Sequence, residues 1–408
     1  MSYIEYNENT TDIDTNISNN RIFMQNPYEI LNPSAINPAF IPIIVTHGIT
    51  FLIGIIGNIL VIITWSLRGR LRSPTAVFLV SLAVADMLLL LVFVPLETLE
   101  YFVISWDTGG NVCKMSSYVE MLSGMATVLN LVAVSIERFL VIVYPIKARS
   151  WCTMSSTRKG LVCVWSLALL LATPVLLTKT VYSMTYYNNT TQLTAYYCWD
   201  ADDDLAFYVA VYQLLVMFVL PALFMIVCYF LVMQELWISN KSINTMTHSD
   251  SFKHSTSRAN QRTECLLCWP SLRHHKQNIE ETTSASAMHS NAVDITRGRK
   301  QVIKMLVLIV MLFMLCWGPR LVINVLIKLG LQSFSHSAYT ARIACYLLSF
   351  IHSALNPFVY GLMSSNFRQM ICHSCKKSNR FTNNSETYQL NRVNTYTTNS
   401  TKIANSFV

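Results

Sequence analysis

Seven apolar stretches follow one another along the chain, near residues 41–66, 75–102, 112–141, 160–178, 207–235, 301–328 and 340–363, each broken by at most a few polar positions. Every one is long enough to cross a bilayer core of ~30 Å as a helix. The pattern predicts an all-α membrane protein built as a seven-transmembrane helix bundle. The seventh stretch is the weakest, because Arg342 and His352 interrupt it. Three regions fall off the bundle: 1–40 is polar and Asn-rich, 239–296 is rich in Ser, Thr and His, and 376–408 is rich in Asn and Thr. Such segments bury too little apolar surface to offset the entropy of ordering, so all three read as disordered. The expected domains are a tail over 1–40, a membrane domain over 41–366 with a long loop at 236–300, and a C-terminal segment over 367–408.

The polar connections set the orientation. Arg68, Arg70 and Arg72 lie between the first two stretches, Lys147, Arg149, Arg158 and Lys159 between the third and fourth, and nine Lys or Arg between 236 and 300. Residues 1–40 carry one base, Arg21, against five acids, and 180–206 carry four Asp and no base. Basic loops stay in the cytoplasm, so the N-terminus is expected outside and the C-terminus inside. Only 13% of the chain is charged, where a soluble globular protein has about 25%. The net charge of +8 is mostly cytoplasmic. It argues for anionic lipid and an acidic-faced partner, not for nucleic acid.

Of 11 cysteines, only Cys113 and Cys198 lie on predicted outer segments. The outside is oxidising, so these two are expected to pair. "CLLC" (Cys265 to Cys268), followed by His274 and His275, has a loosely zinc-like spacing. In a disordered cytoplasmic loop it reads as coincidence.

Polar and kinking residues recur inside the apolar stretches. Gly57–Asn58 sits in the first and "LAVAD", ending at Asp86, in the second. "ERF" (Glu137, Arg138, Phe139) closes the third, Trp165 marks the fourth, and Pro221 and Tyr229 mark the fifth. "CWGP" (Cys316 to Pro319) lies in the sixth and "NPFVY" (Asn356, Pro357 to Tyr360) in the seventh. In this order they resemble the rhodopsin-like (class A) G-protein-coupled receptors over about residues 41–375, most like the neuropeptide and peptide-hormone receptors. The resemblance implies a plasma-membrane receptor for an extracellular peptide that activates a heterotrimeric G protein, with a lean toward phospholipase C and calcium. Receptor kinases and arrestin would follow as partners. Arg138, its charge offset by Glu137, would turn toward the G protein, held by Tyr229 and Tyr360, while Pro145 and Ile146 dock the second inner loop. Phe139 stands where the family usually has Tyr.

The same resemblance makes Trp317, just before the helix-kinking Pro319, a switch, with Pro221, Val128 and Phe313 beneath it. Asp86, Ser123, Thr127, Ser353 and Asn356 would form a sodium pocket, since hard cations prefer oxygen ligands. A polar packing network without an ion, with Asn58 as a member, remains the alternative. His352 departs from the family's usual Asn beside this pocket. No acid occurs in 295–304 to hold Arg138 from the sixth helix, so basal activity is expected.

Helical period places further residues in the outer half. Trp317, Arg320, Asn324 and Lys328 share a face, as do Cys113, Ser117, Glu120 and Thr127. Glu97 lies on the face of Asp86, and Glu100 is one turn higher. With Tyr346 of the seventh stretch, these make Glu97, Glu100, Glu120, Arg320, Asn324 and Tyr346 the candidate ligand contacts. Glu97 and Glu100 facing lipid headgroups is the alternative. An intramembrane acid and base at similar depth call for each other or for a ligand, so Glu120 and Arg320 are expected to pair in the empty protein.

Residues flanking Asn188–Asn189 are aromatic and β-branched, which predicts a β-hairpin. Asn9, Asn16, Asn188 and Asn189 start outer glycosylation sequons. After the seventh span, "SSNFRQMICHSCKK" suits a short amphipathic eighth helix on the membrane lipid, with Cys372 and Cys375 as palmitoylation candidates. The terminal "NSFV" resembles a ligand for a PDZ protein. An amine receptor is the competing function, because Glu120 sits where such receptors hold an Asp. An opsin needs a lysine in 340–363, which has none. No nucleophile–base arrangement suggests an enzyme, and inverted repeats of a transporter are absent.

Overall fold

The computed structural model describes residues 20–37, 39–66, 73–100, 102, 107–238, 274–330, 336–364 and 367–368. Asn9, Asn16, the CLLC segment, Cys372, Cys375 and the terminal NSFV lie outside the described residues. Seven long helices dominate: α1 (Phe40–Ser66), α2 (Pro74–Glu100), α3 (Asn111–Val143), α4 (Met154–Thr178), α5 (Asp204–Ile238), α6 (His274–Lys328) and α7 (His336–Met363). Each contains a stretch long and apolar enough to span a membrane, Lys300–Lys328 in α6 and Thr340–Met363 in α7. The bundle buries a set of polar side chains within an apolar interior and turns apolar side chains outward. Asn58, Asp86, Ser123 and Asn356 are buried, while Ile56, Leu170 and Ile226 project outward. Large apolar side chains on the outer surface are what lipid, not water, would cover.

Local chemistry sets where the helices start. Pro74 takes the first position of α2, where its missing N–H costs nothing. The Thr153 hydroxyl accepts from Ser156 N at the start of α4 (3.2 Å), and the Asp203 carboxylate accepts from Ala206 N at the start of α5 (2.9 Å). Gly110 precedes α3 with φ of 70°, a left-handed conformation that glycine adopts without strain. Two glycines set close approaches. A side chain at Gly57 would stand 2.8 Å from the Pro357 ring, so α1 and α7 meet there without one. One at Gly124 would stand 3.0 Å from the Trp317 ring and closer still to Met217.

The expected hairpin is present. Strands β2 (Lys179–Tyr187) and β3 (Gln192–Asp200) pair antiparallel, with Lys179 opposite Asp200 and Val181 opposite Cys198. The Asn188 carboxamide oxygen builds the turn by accepting from Thr190 N (2.9 Å) and Thr191 N (2.6 Å).

A third strand corrects the reading of residues 1–40 as wholly disordered. β1 (Arg21–Phe23) adds to β2 in parallel, with Arg21 opposite Thr185. A 3₁₀ turn (Pro27–Leu31) and a short helix (Pro33–Ile36) follow. The hairpin supplies the partner that the polar composition hides. Ile22, Met24 and Ile30 pack on Tyr186 and Ala195, Arg21 stacks over Tyr187 at 4.8 Å, and Asn188 Nδ2 donates to Gln25 O at 3.0 Å.

A disulfide joins Cys113 of α3 to Cys198 of β3 across 85 residues. By the chain-entropy account such a link stabilises by about 4–5 kcal/mol. Its local effect is to hold the hairpin against α3. We expect Cys113→Ala and Cys198→Ala each to abolish agonist binding. Saturation binding corrected for surface expression checks this, and normal binding in both variants would contradict it.

The compact units are Met1–Phe358 and Val359–Val408. Within the second, the Tyr360 ring meets Phe367 edge-on at 6.2 Å, and Phe367 N donates to Ser364 Oγ at 3.1 Å. Of the expected eighth helix only Phe367 and Arg368 are described; the rest lies outside the described residues.

Candidate functional site

The end of the first unit that carries the hairpin encloses a cavity of about 330 Å³, within the usual range of ligand sites, ~300–1,000 Å³. All seven spans, the hairpin and the N-terminal segment supply its walls. Glu97 and Glu100 reach it from α2, Glu120 from α3, Arg320 and Asn324 from α6, and Tyr346 from α7. All six residues expected as ligand contacts therefore line one space.

At its floor, the Arg320 guanidinium is paired with the Glu120 carboxylate. Arg320 Nη1 also donates to Ser349 Oγ (3.0 Å), whose hydroxyl donates to Tyr346 O (2.7 Å). The guanidinium lies 4.6 Å from the Tyr346 ring centre. Tyr346 Oη donates to Asn324 Oδ1 at 2.6 Å. This network ties α3, α6 and α7 together through a charge pair shielded from water. A buried charge of either sign is costly alone, so the two are mutually dependent. Glu97 and Glu100 form no ion pair among the described residues.

Among the other wall residues, His47, Lys179 and the placement of Arg342 escaped the sequence reading, whereas Lys328 lies on the α6 face expected with Trp317 and Arg320. His47 of α1 is buried, with Nδ1 2.9 Å from Thr98 Oγ1. Lys179 pairs with Asp200 at 2.9 Å across the first register position of the hairpin. Burial pulls the Lys179 ammonium down, but Asp200, with Tyr346 and Glu120 adding to it, more than offsets this, and its pKa is raised overall. Lys328 Nζ donates to Ala201 O at 2.6 Å and lies 3.6 Å from Asp202. Arg342 stacks over Trp199 at 4.8 Å and over Tyr346 at 5.6 Å.

Beneath the cavity, Trp317 is buried and stacks on Phe313 at 6.1 Å; Phe313 meets His352 edge-on at 5.5 Å. Pro319 lies within α6 two residues further on. Gly124 is the position on α3 that leaves room for the indole. Deeper still, Asn356 Nδ2 donates to Asp86 Oδ2 (2.8 Å), Ser123 Oγ to Ala85 O (2.8 Å), and Asn58 Nδ2 to Ser353 O (2.9 Å). The second Asp86 oxygen and the side-chain oxygens of Asn58 and Asn356 are buried without a hydrogen bond. Thr127, one helical turn beyond Ser123 on α3, is buried as well.

At the far end of α3 from the hairpin, Glu137 accepts from Arg138 Nε (2.7 Å) and Nη2 (3.0 Å). Thr75 of α2, which the sequence reading missed, donates to Glu137 Oε2 at 2.9 Å and also contacts the guanidinium. Tyr229 lies 3.1 Å from Ser135 and packs with Phe139 against Val232, Leu236 and Ile303. Ile146 is 87% exposed on the short helix Pro145–Trp151.

The sequence profile of the 7 transmembrane receptor (rhodopsin family) matches residues 57–360. A cholecystokinin receptor type A of Cavia porcellus is 30% identical over 338 residues, covering 80% of this chain and 78% of its own length. An allatostatin-A receptor of Bombyx mori is 25% identical over 321 residues (79% and 76%). A QRFP-like peptide receptor of Branchiostoma floridae is 25% identical over 332 residues (80% and 75%). These are receptors, not enzymes. Seven spanning helices, the hairpin bridged to α3 and a profile match over most of the chain agree: the protein belongs to the rhodopsin family of seven-transmembrane receptors.

Proposed function

We propose that the protein is a plasma-membrane receptor for an extracellular cationic peptide, which it binds in the outer cavity. It reports binding to a heterotrimeric G protein through phospholipase C and calcium, with the N-terminus outside and the C-terminus in the cytoplasm. The observation that carries this reading is the charge layout of the cavity. Glu120 is already neutralised by Arg320, while Glu97 and Glu100 line the cavity and form no ion pair among the described residues. That field attracts a positively charged ligand. The similarity to a QRFP-like peptide receptor supports a peptide. An amine receptor would need the Glu120 carboxylate for its ammonium, and Arg320 occupies it.

The signalling half rests on Arg138, Glu137, Phe139, Tyr229 and the exposed Ile146, with Trp317 and Phe313 relaying the change in the cavity past Pro319. Asn356, Pro357 and Tyr360 complete the set, and Pro357 lies against Gly57. The unbonded oxygens beside Asp86 fit a hard cation such as sodium. Asp86, Ser123, Thr127, Ser353 and Asn356 would hold it, and its charge would neutralise the buried carboxylate.

The test is a calcium reporter in cells expressing the receptor, challenged with synthetic peptides that carry Arg or Lys and with neutral isosteres. Responses confined to the basic peptides and absent from mock-transfected cells are expected. Responses to biogenic amines alone would contradict the proposal.

Glycosylation tests the orientation. The overlapping sequons offer Asn188 and Asn189. The Asn188 carboxamide is committed on both sides, to Gln25 O and to the Thr190 and Thr191 amides, whereas Asn189 is exposed. We expect the glycan on Asn189. Mass spectrometry of the enzymatically deglycosylated peptide, with ¹⁸O marking the modified Asn, reads this directly, and a label on Asn188 would contradict it.

A further inference from the structure

We infer that the α7 wall of the cavity is an anion subsite centred on Arg342, so that the ligand carries a carboxylate as well as a cation. This rests on the peptide reading and narrows it. Four bases line the cavity: Lys179, Arg320, Lys328 and Arg342. Three have oxygen partners, since Asp200 takes Lys179, Glu120 takes Arg320, and Ala201 O with Asp202 takes Lys328. Arg342 has none among the described residues. Its guanidinium has only the faces of Trp199 and Tyr346, at 4.8 and 5.6 Å.

Two rings stabilise the charge through their negative faces but accept none of its hydrogen bonds. They also restrict the plane of the guanidinium. Its N–H groups form a fork that matches the two oxygens of a carboxylate. The slot itself is fixed. Tyr346 is anchored through its hydroxyl to Asn324, and Trp199 follows the bridged Cys198 in β3. Arg342 precedes Tyr346 by one helical turn, ~6 Å nearer the start of α7 at 1.5 Å per residue. Glu100 ends α2 and lines the same cavity, whose α2 and α7 walls meet where Phe93 packs on Phe350 at 5.5 Å. A ligand that satisfies the site therefore presents a cation toward Glu97 and Glu100 and a carboxylate toward Arg342. A peptide does so with an Arg or Lys and either an acidic side chain or a free C-terminus.

The experiment uses the basic synthetic peptides of the calcium assay, each made in matched forms: Asp against Asn at each position, and free acid against amide at the C-terminus. On the wild-type receptor one carboxylate form is expected to be about tenfold or more the stronger, the effect of a hydrogen bond between charged groups. The Asp and C-terminal arms show which source supplies it. Arg342→Gln should abolish that preference while the requirement for Arg or Lys in the peptide persists. Arg342→Glu, at matched surface expression, should reverse it in favour of Lys at the same position. Equal potency of acid and neutral forms on the wild type, a comparison that needs no variant, would overturn the subsite and leave the cationic-peptide reading standing. A preference that survives Arg342→Gln would do the same. No response to any peptide would overturn both.

Discussion

Arg138→Ala is expected to bind peptide as the wild type does and to produce no G-protein response. The two halves of that result come from position. Along α3, Arg138 lies about 27 Å from Glu120 at 1.5 Å per residue, so its loss leaves the cavity walls untouched. At the inner end its guanidinium is held by Glu137 of its own helix and by Thr75 of α2. Among the described residues no acid of α6 reaches it. The proposed role in coupling requires Arg138 to exchange these partners for the G protein. Without a charge lock between α3 and α6, the wild type should also signal above mock-transfected cells when no ligand is present. Arg138→Ala should remove that basal signal with the rest. Radioligand binding beside a G-protein dissociation reporter measures both. A response retained in the variant, or a silent unliganded wild type, would contradict the respective half.

The spans were legible because a helix crossing lipid must be apolar over its whole length, and no tertiary contact is needed to see that. Glu120 and Arg320 were legible for the converse reason. Each interrupts an apolar run on the face that also carries a marked residue, Thr127 or Trp317, and a lone charge there demands a partner. The hairpin was announced by its Asn–Asn turn and β-branched flanks. In each of these cases the signal lies within a few residues of its cause.

What sequence reading missed depends on contacts between distant segments. Ile22, Met24 and Ile30 lie in short apolar runs of a polar tail, too brief to set a period. They become a strand and a cap only because Tyr186 and Ala195 offer them a face more than 150 residues away. Arg342 counted merely as a defect in the seventh span. Its position one turn before Tyr346 was visible, but the Trp199 ring that completes its slot comes from the hairpin. Thr75 carries no charge and sits at a helix start, so nothing in its surroundings points to Glu137. Helical period assigns a face to a residue; it does not say what that face meets.

Glu120 and Arg320 are where the proposed site and its energetics meet most closely. Each is buried, and each finds its main compensation in the other, with Ser349 and the Tyr346 ring as secondary support for Arg320. Removing one partner of a buried pair strands the other charge at a cost of about 3–5 kcal/mol. Glu120→Gln and Arg320→Gln should therefore each weaken peptide binding at least a hundredfold, through a distorted cavity as well as through lost contacts. The double variant strands nothing and should lose less than the two together. The direct measurement is this double-mutant cycle in the dissociation constant of an activating peptide, at equal surface expression. A coupling of about 1–3 kcal/mol between the two positions is expected. Additive losses would show that the residues act separately, and would contradict a ligand site organised around their pairing.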